Sequence, residues 1–169
     1  MTGDHSPVAI AQRGSWNTLA PGPMVPFPYH ATFSLEEYAA IRRGLIPQEM
    51  EDKWFVFWEA DSLFFHRSWT GRCVYRVGFR HTADRFEVAE ATVSAEQYRR
   101  RSDRYEPALL DFLIRGLLLR QSVEFPMPAG VAGSAGLYQH LVAGTGFPER
   151  TLSGNRTTFL TRFKRWFRL

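Results

Sequence analysis

Residues 53–79 read KWFVFWEADSLFFHRSWTGRCVYRVGF, and this stretch decides the fold. It holds three of the five tryptophans and five of the fourteen phenylalanines. Aromatic and β-branched residues at period two, broken at Glu59–Ser62 and Thr70–Gly71, predict strands near 53–58, 62–69 and 72–80. A fourth strand follows near 85–93, after His81–Asp84. Connections this short join only antiparallel neighbours, so the expected sheet is a four-stranded antiparallel meander. In its third strand Cys73, Tyr75, Val77 and Phe79 share the apolar face, while Arg72, Arg76 and Arg80 line the other. One face should be covered and the other partly wet.

Upstream, the order Phe33-Ser34-Leu35-Glu36-Glu37-Tyr38 places Ser34 as N-cap and Glu37 as its capping-box partner, with Phe33 against Tyr38 as a hydrophobic staple. The helix should run over 35–43 and end at Gly44, and Pro47 stops any continuation. Downstream, Leu109, Leu110, Phe112, Leu113, Leu117 and Leu118 make an apolar stripe on a helix over 104–120, with Asp103 as cap and Pro107 in its first turn. That helix is expected to cover the sheet. Residues 136–142 offer a shorter helical or extended piece. The fold class is therefore α+β: an antiparallel meander packed against helices.

Residues 1–30 carry five prolines and no apolar period, which predicts an extended or disordered arm. Residues 31–149 form the single α+β domain. From 150 to 169, Phe159, Phe163, Trp166 and Phe167 recur at helical spacing among Arg and Lys, as a basic amphipathic C-terminal helix.

The chain has 169 residues, 44% of them apolar, which suits one domain with a real core. Its formal charge is +4, but residues 1–149 hold 15 basic and 17 acidic residues, a balance of −2, while the last twenty hold six basic and none acidic. The basicity belongs to the tail, which argues against nucleic-acid binding by the folded body. The tail itself suits an acidic surface or a last core helix. No apolar run reaches the ~20 residues of a membrane span and no signal peptide opens the chain, so a cytoplasmic location is expected. The five histidines and the single cysteine show no metal-ligand spacing, and no cofactor signature is present. Cys73 reads as a small buried hydrophobe.

Candidate chemistry concentrates in His66–Gly71. On a regular strand His66 and Ser68 share one face and Arg67 and Trp69 the other. His66 suits a general base, Ser68 a polar anchor, and Arg67 with Trp69 an anionic, stackable ligand. The alternative is structural: His66 hydrogen-bonded within the sheet, Arg67 paired with Glu59 or Asp61, and Trp69 in the core. Glu51, Asp52, Glu59 and Asp61 flank the first hairpin as a candidate acid pair or as solvated turn residues. The glycines of 130–136 and of 144–146 bracket Tyr138, Gln139 and His140. They match no dinucleotide or Walker pattern and read as linker or as a weak phosphate loop.

Three segments in order, Met50-Glu-Asp-Lys-Trp-Phe55, Leu63-Phe-Phe-His-Arg-Ser-Trp-Thr-Gly71 and Gly136-Leu-Tyr-Gln-His140 with Gly144-Thr-Gly-Phe-Pro-Glu149, resemble a small uncharacterised bacterial family. Its members are associated with ADP-ribose-processing proteins of the macrodomain or ADP-ribosylglycohydrolase kind. The resemblance implies a nucleotide-like small molecule, ADP-ribose-like or NAD-derived, as partner, bound by a pocket that joins the two motifs, with hydrolysis as an open further step. In that reading His66 and His140 are catalytic, and Arg67, Ser68, Trp69, Gln139, Gly144 and Gly146 bind the ligand. The rival expectation is a protein-interaction module of immunity or toxin–antitoxin type, binding through an exposed sheet edge or the aromatic tail.

Overall fold

A computed structural model describes residues 9–49, 51–98, 104–128 and 135–144. In chain order the elements are β1 (Met24–Pro26), β2 (Thr32–Phe33), α1 (Leu35–Ile41), β3 (Trp54–Glu59), β4 (Ser62–Arg67), β5 (Cys73–Thr82), β6 (Arg85–Ser94), α2 (Ala95–Tyr98), α3 (Tyr105–Phe112), a π-helical continuation of α3 over Leu113–Leu118, and α4 (Ala135–Ala143). The sheet is antiparallel in the order β1-β6-β5-β4-β3, with β2 also paired to β6. The expected meander is β3 to β6, and the short β1 and β2 beside β6 enlarge the sheet to six strands. Among the described residues no helix is long and apolar enough to cross a membrane.

Local chemistry explains the joints. Ala60 and Asp61 have φ of 46° and 56°, the two left-handed residues of a type I′ turn, which matches the twist of β3 and β4. The N-cap of α1 is a complete capping box: Glu37 N donates to Ser34 Oγ at 3.2 Å and Ser34 N to Glu37 Oε2 at 2.9 Å. Gly44 closes α1 at φ 66°, and a Cβ there would lie 2.2 Å from Val56 O. That close approach lets Leu45 bridge Val56 through two backbone hydrogen bonds of 2.8 and 2.9 Å, covering part of the outer edge of β3. At the opposite edge, β1 is three residues long and ends in Pro26. Both edges are blunt templates for another strand.

Both faces of the β3–β4 hairpin are buried. Trp54, Val56, Leu63 and Phe65 face the main core with Tyr75, Val77, Leu109, Leu110, Leu113 and Ile114. The helix expected to cover the sheet does so over Tyr105–Leu118, and it ends with Arg120 at φ 55° and Gln121 N bonded to Arg115 O at 2.8 Å. A non-glycine residue in this conformation costs roughly 1 kcal/mol.

Phe55, Phe57, Phe64 and Cys73 face the other way and pack with Ala11. Each ring removed from water contributes roughly 2 kcal/mol. The cover on this side is the N-terminal arm, which buries Ala11 against these rings and leaves most of its other side chains exposed. Ala11 N donates to Arg43 O and Leu19 N to Gly71 O, both at 2.8 Å. Arg13 is ion-paired to Glu59, with its guanidinium 5.2 Å from the Phe57 ring centroid. Phe27 and Tyr29 continue into the main core, and Tyr29 Oη donates to Asp111 Oδ1 at 2.9 Å.

The shared face expected for Cys73, Tyr75, Val77 and Phe79 is corrected by a bulge. His66 pairs with Cys73 while Phe65 pairs with Tyr75, leaving Val74 as an extra residue. The side chains beyond it swap faces, so Cys73 meets the arm and Tyr75 the helices. The expected helix over 150–169 and the glycine loop of 130–134 lie outside the described residues.

Gly44→Ala should destabilise the protein by about 2–4 kcal/mol, because it adds left-handed strain to a backbone clash. Gly22, with nothing within 4 Å of its would-be Cβ, is the control: Gly22→Ala should change stability by less than about 0.5 kcal/mol. Urea unfolding of both variants checks the contrast.

Candidate functional site

His66 ends the apolar run of β4 with its ring 5.4 Å from Phe57 and 6.4 Å from Phe55, fully buried beneath the arm. Its Nδ1 lies 2.8 Å from Gly71 O. A carbonyl only accepts, so Nδ1 carries the proton and Nε2 presents a bare lone pair. Nε2 has no hydrogen-bond partner among the described residues. Burial, with a smaller contribution from the positive charge of Arg13, pulls the imidazole below the ordinary histidine range despite the Gly71 bond. The ring is a neutral part of the covered face. The acid/base role expected of His66 has no solvent access in this arrangement.

Arg67, directly opposite Trp54 across the hairpin, lays its guanidinium over that indole at 4.2 Å. Arg67 Nη1 and Trp54 Nε1 both donate to Val142 O, at 3.0 and 2.9 Å. The last turn of α4 thus receives a cation and two donors at its negative end. This contact answers a question raised by the sequence: the His66–Gly71 segment and the Gly136–Gly144 segment do meet. They meet through Arg67 and the α4 carbonyl, with Gln139 half-buried and His140 exposed on the helix. Gly144, at φ 83°, sits where a Cβ would be 2.6 Å from Glu51 O, so it packs α4 onto the 51–53 backbone. Gly146 lies outside the described residues.

Ser68 is buried, and its three polar groups knit neighbouring segments together. Its Oγ donates to Asp52 O, its N–H to Lys53 O at 3.1 Å, and its carbonyl accepts from Trp16 Nε1 at 2.7 Å. Trp69, next in the chain, is 59% exposed and has Lys53 Nζ 4.6 Å from its ring centroid. Trp16 is 39% exposed. Between the two indoles opens a cleft of about 440 Å³ lined by Trp16, Gln48, Glu49, Ser68 and Trp69.

Of the residues expected from the sequence, Ser68 and Trp69 line this cleft. Trp16, Gln48 and Glu49 complete the lining and belong to no motif in the sequence. The available signal was Trp16 itself, a large aromatic in a segment otherwise rich in turn formers. Two of the flanking carboxylates, those of Asp52 and Glu59, hold structural contacts. Asp52 Oδ2 accepts from Gln48 N at 2.8 Å and Glu49 N at 3.2 Å, Glu59 pairs with Arg13, and Asp61 sits in the type I′ turn. Burial pushes the Cys73 thiol up to about 11, which keeps it protonated and unreactive near neutrality.

No family model, curated protein or solved structure matches this chain.

Because the folded His66 is a weaker base than the free side chain, the unfolded chain takes up its proton first as pH falls. The stability held by the neutral ring is complete above about pH 6.5 and is lost below it, toward the lowered folded value. His66→Gln should flatten this dependence. Urea midpoints at pH 7.5 and 5.5 should fall more in the wild type than in the variant, and equal falls would show that His66 does not couple to folding.

Proposed function

We propose that the protein binds a nucleotide of the ADP-ribose or NAD-derived class, with its base stacked in the Trp16–Trp69 cleft. The observation that carries this reading is the pair of exposed indoles flanking one cleft on a hydrogen-bonded base. Large exposed aromatics forgo burial, and here the hydrogen bond from Trp16 to Ser68 O and the cation on Trp69 hold them in place. The cleft volume falls in the range of small-molecule sites, roughly 300–1,000 Å³. Stacking on such side chains is worth about 1–3 kcal/mol per base. The polar groups of Gln48 and Glu49 line the same space and can read a base edge or a ribose hydroxyl.

The reading is one of binding. With His66 enclosed and Arg67 engaged on Trp54 and Val142, Glu49 is the titratable side chain lining the cleft, and hydrolysis has no histidine base there. A second reading, a protein-interaction surface, is favoured by Ile10 and Leu19, which are 62% and 50% exposed on the same arm as Trp16. It would use this aromatic surface, since both sheet edges are blunted.

Calorimetric titration with adenosine, ADP, ADP-ribose and NAD, followed also by tryptophan fluorescence, tests the proposal. At least one ligand should bind with quenching, and Trp69→Ala should weaken it by at least about tenfold. The same variant should keep its stability within about 0.5 kcal/mol, because the ring is mostly exposed. Unchanged affinity in Trp69→Ala, or no binding at millimolar ligand, contradicts the reading.

A further inference from the structure

A second cavity, of about 180 Å³, shares Gln48 with the cleft and is lined by Leu45, Ile46, Gln48, Asp52, Lys53, Trp54, Leu117, Arg120 and Ala143. We infer that this cavity is an anion site that receives the phosphate or diphosphate of the ligand whose base stacks between Trp16 and Trp69; the ligand's identity rests on that reading.

Three observations lead here. The first is charge. Lys53 and Arg120 are the two basic residues lining a cavity with one carboxylate, Asp52, and that carboxylate already accepts from two backbone N–H groups, those of Gln48 and Glu49. The nearby helix-end carbonyl, Val142 O, is likewise taken by Trp54 and Arg67. The neighbouring acceptors are occupied, while the two cations have no ion-pair partner among the described residues. A phosphate supplies acceptors for both.

The second observation is conformational. Arg120 occupies the left-handed position just past the helix end, at φ 55°. Glycine or asparagine fits that position without the strain that an arginine incurs. A strained arginine at the wall of a cavity points to a use for its side chain.

The third is continuity. Gln48 lines both the cavity and the aromatic cleft. Lys53 lines the cavity while holding its ammonium over Trp69 in the cleft wall. A nucleotide with its base on Trp69 therefore has its phosphate end directed past Lys53 toward Arg120.

Titrations of the full chain with adenosine, ADP and inorganic pyrophosphate separate the two claims. ADP should bind about tenfold more tightly than adenosine, as expected for a charge-assisted contact. Arg120→Gln should abolish that advantage and leave adenosine affinity unchanged, and Arg120→Lys should keep part of it. If ADP gains nothing over adenosine, or Arg120→Gln keeps the full gain, the anion site is overturned while the stacking site stands. If adenosine and ADP both fail to bind, the nucleotide reading falls. Pyrophosphate then decides the cavity alone: saturable binding lost in Arg120→Gln supports an anion site, and no binding overturns it. Circular dichroism of each variant, matched to the wild type, confirms that lost binding is not lost folding.

Discussion

The structure depends on a hairpin that is apolar on both faces. In β3, Trp54 and Val56 point one way and Phe55 and Phe57 the other, and β4 answers with Leu63 and Phe65 against Phe64 and His66. Such a pair cannot sit at the surface of a two-layer α+β fold with one face in water, because its second face would expose several rings at roughly 2 kcal/mol each. It requires a cover on each side. The long helix of α3 and its π-helical continuation provide one. A proline-rich arm with little regular structure of its own provides the other.

The candidate site is a consequence of that second cover. To reach Phe55 and Phe57 the arm passes the turn after β4, where Leu19 bonds to Gly71 and the Trp16 indole bonds to Ser68. That path brings Trp16 to the same cleft that Trp69 lines. It also closes His66 off from water. One packing event thus creates an aromatic site and removes the residue that the local motif favoured as its chemistry. On the helical face, the stacked Trp54–Arg67 pair performs the matching task by holding the end of α4.

Features set by neighbours in sequence were legible. The capping box at Ser34 and Glu37, the glycine stop at Gly44, the four strands of the meander and the covering helix all follow from residues within a few positions of one another. Features set by distant partners were not. The bulge at Val74 changes no composition and no length, yet it moves Cys73 to the other face. The unbroken apolar run at 54–58 was the available sign that both faces are buried. Its consequence, an ordered arm, appears only when one asks what covers Phe55 and Phe57. Within the site, Trp69 and Ser68 were legible from their place beside a turn. Trp16 was not, because thirty-two or more residues of sequence separate it from every other wall of the cleft, and only the folding of the arm brings it there. The positions of His66 and Arg67 depended on the arm and on α4 respectively, which no local pattern reveals.

The central claim, that the arm is an integral cover and one wall of the site, is tested most directly by amide and indole hydrogen exchange measured by NMR. The Ala11 and Leu19 amides, bonded to Arg43 O and Gly71 O, and the Trp16 indole N–H, bonded to Ser68 O, are the reporters. The account predicts protection of both amides approaching that of the β4–β5 ladder, with the Trp16 indole slowed relative to a free tryptophan. Exchange of all three at the rate of an unstructured peptide, while the sheet stays protected, would contradict it.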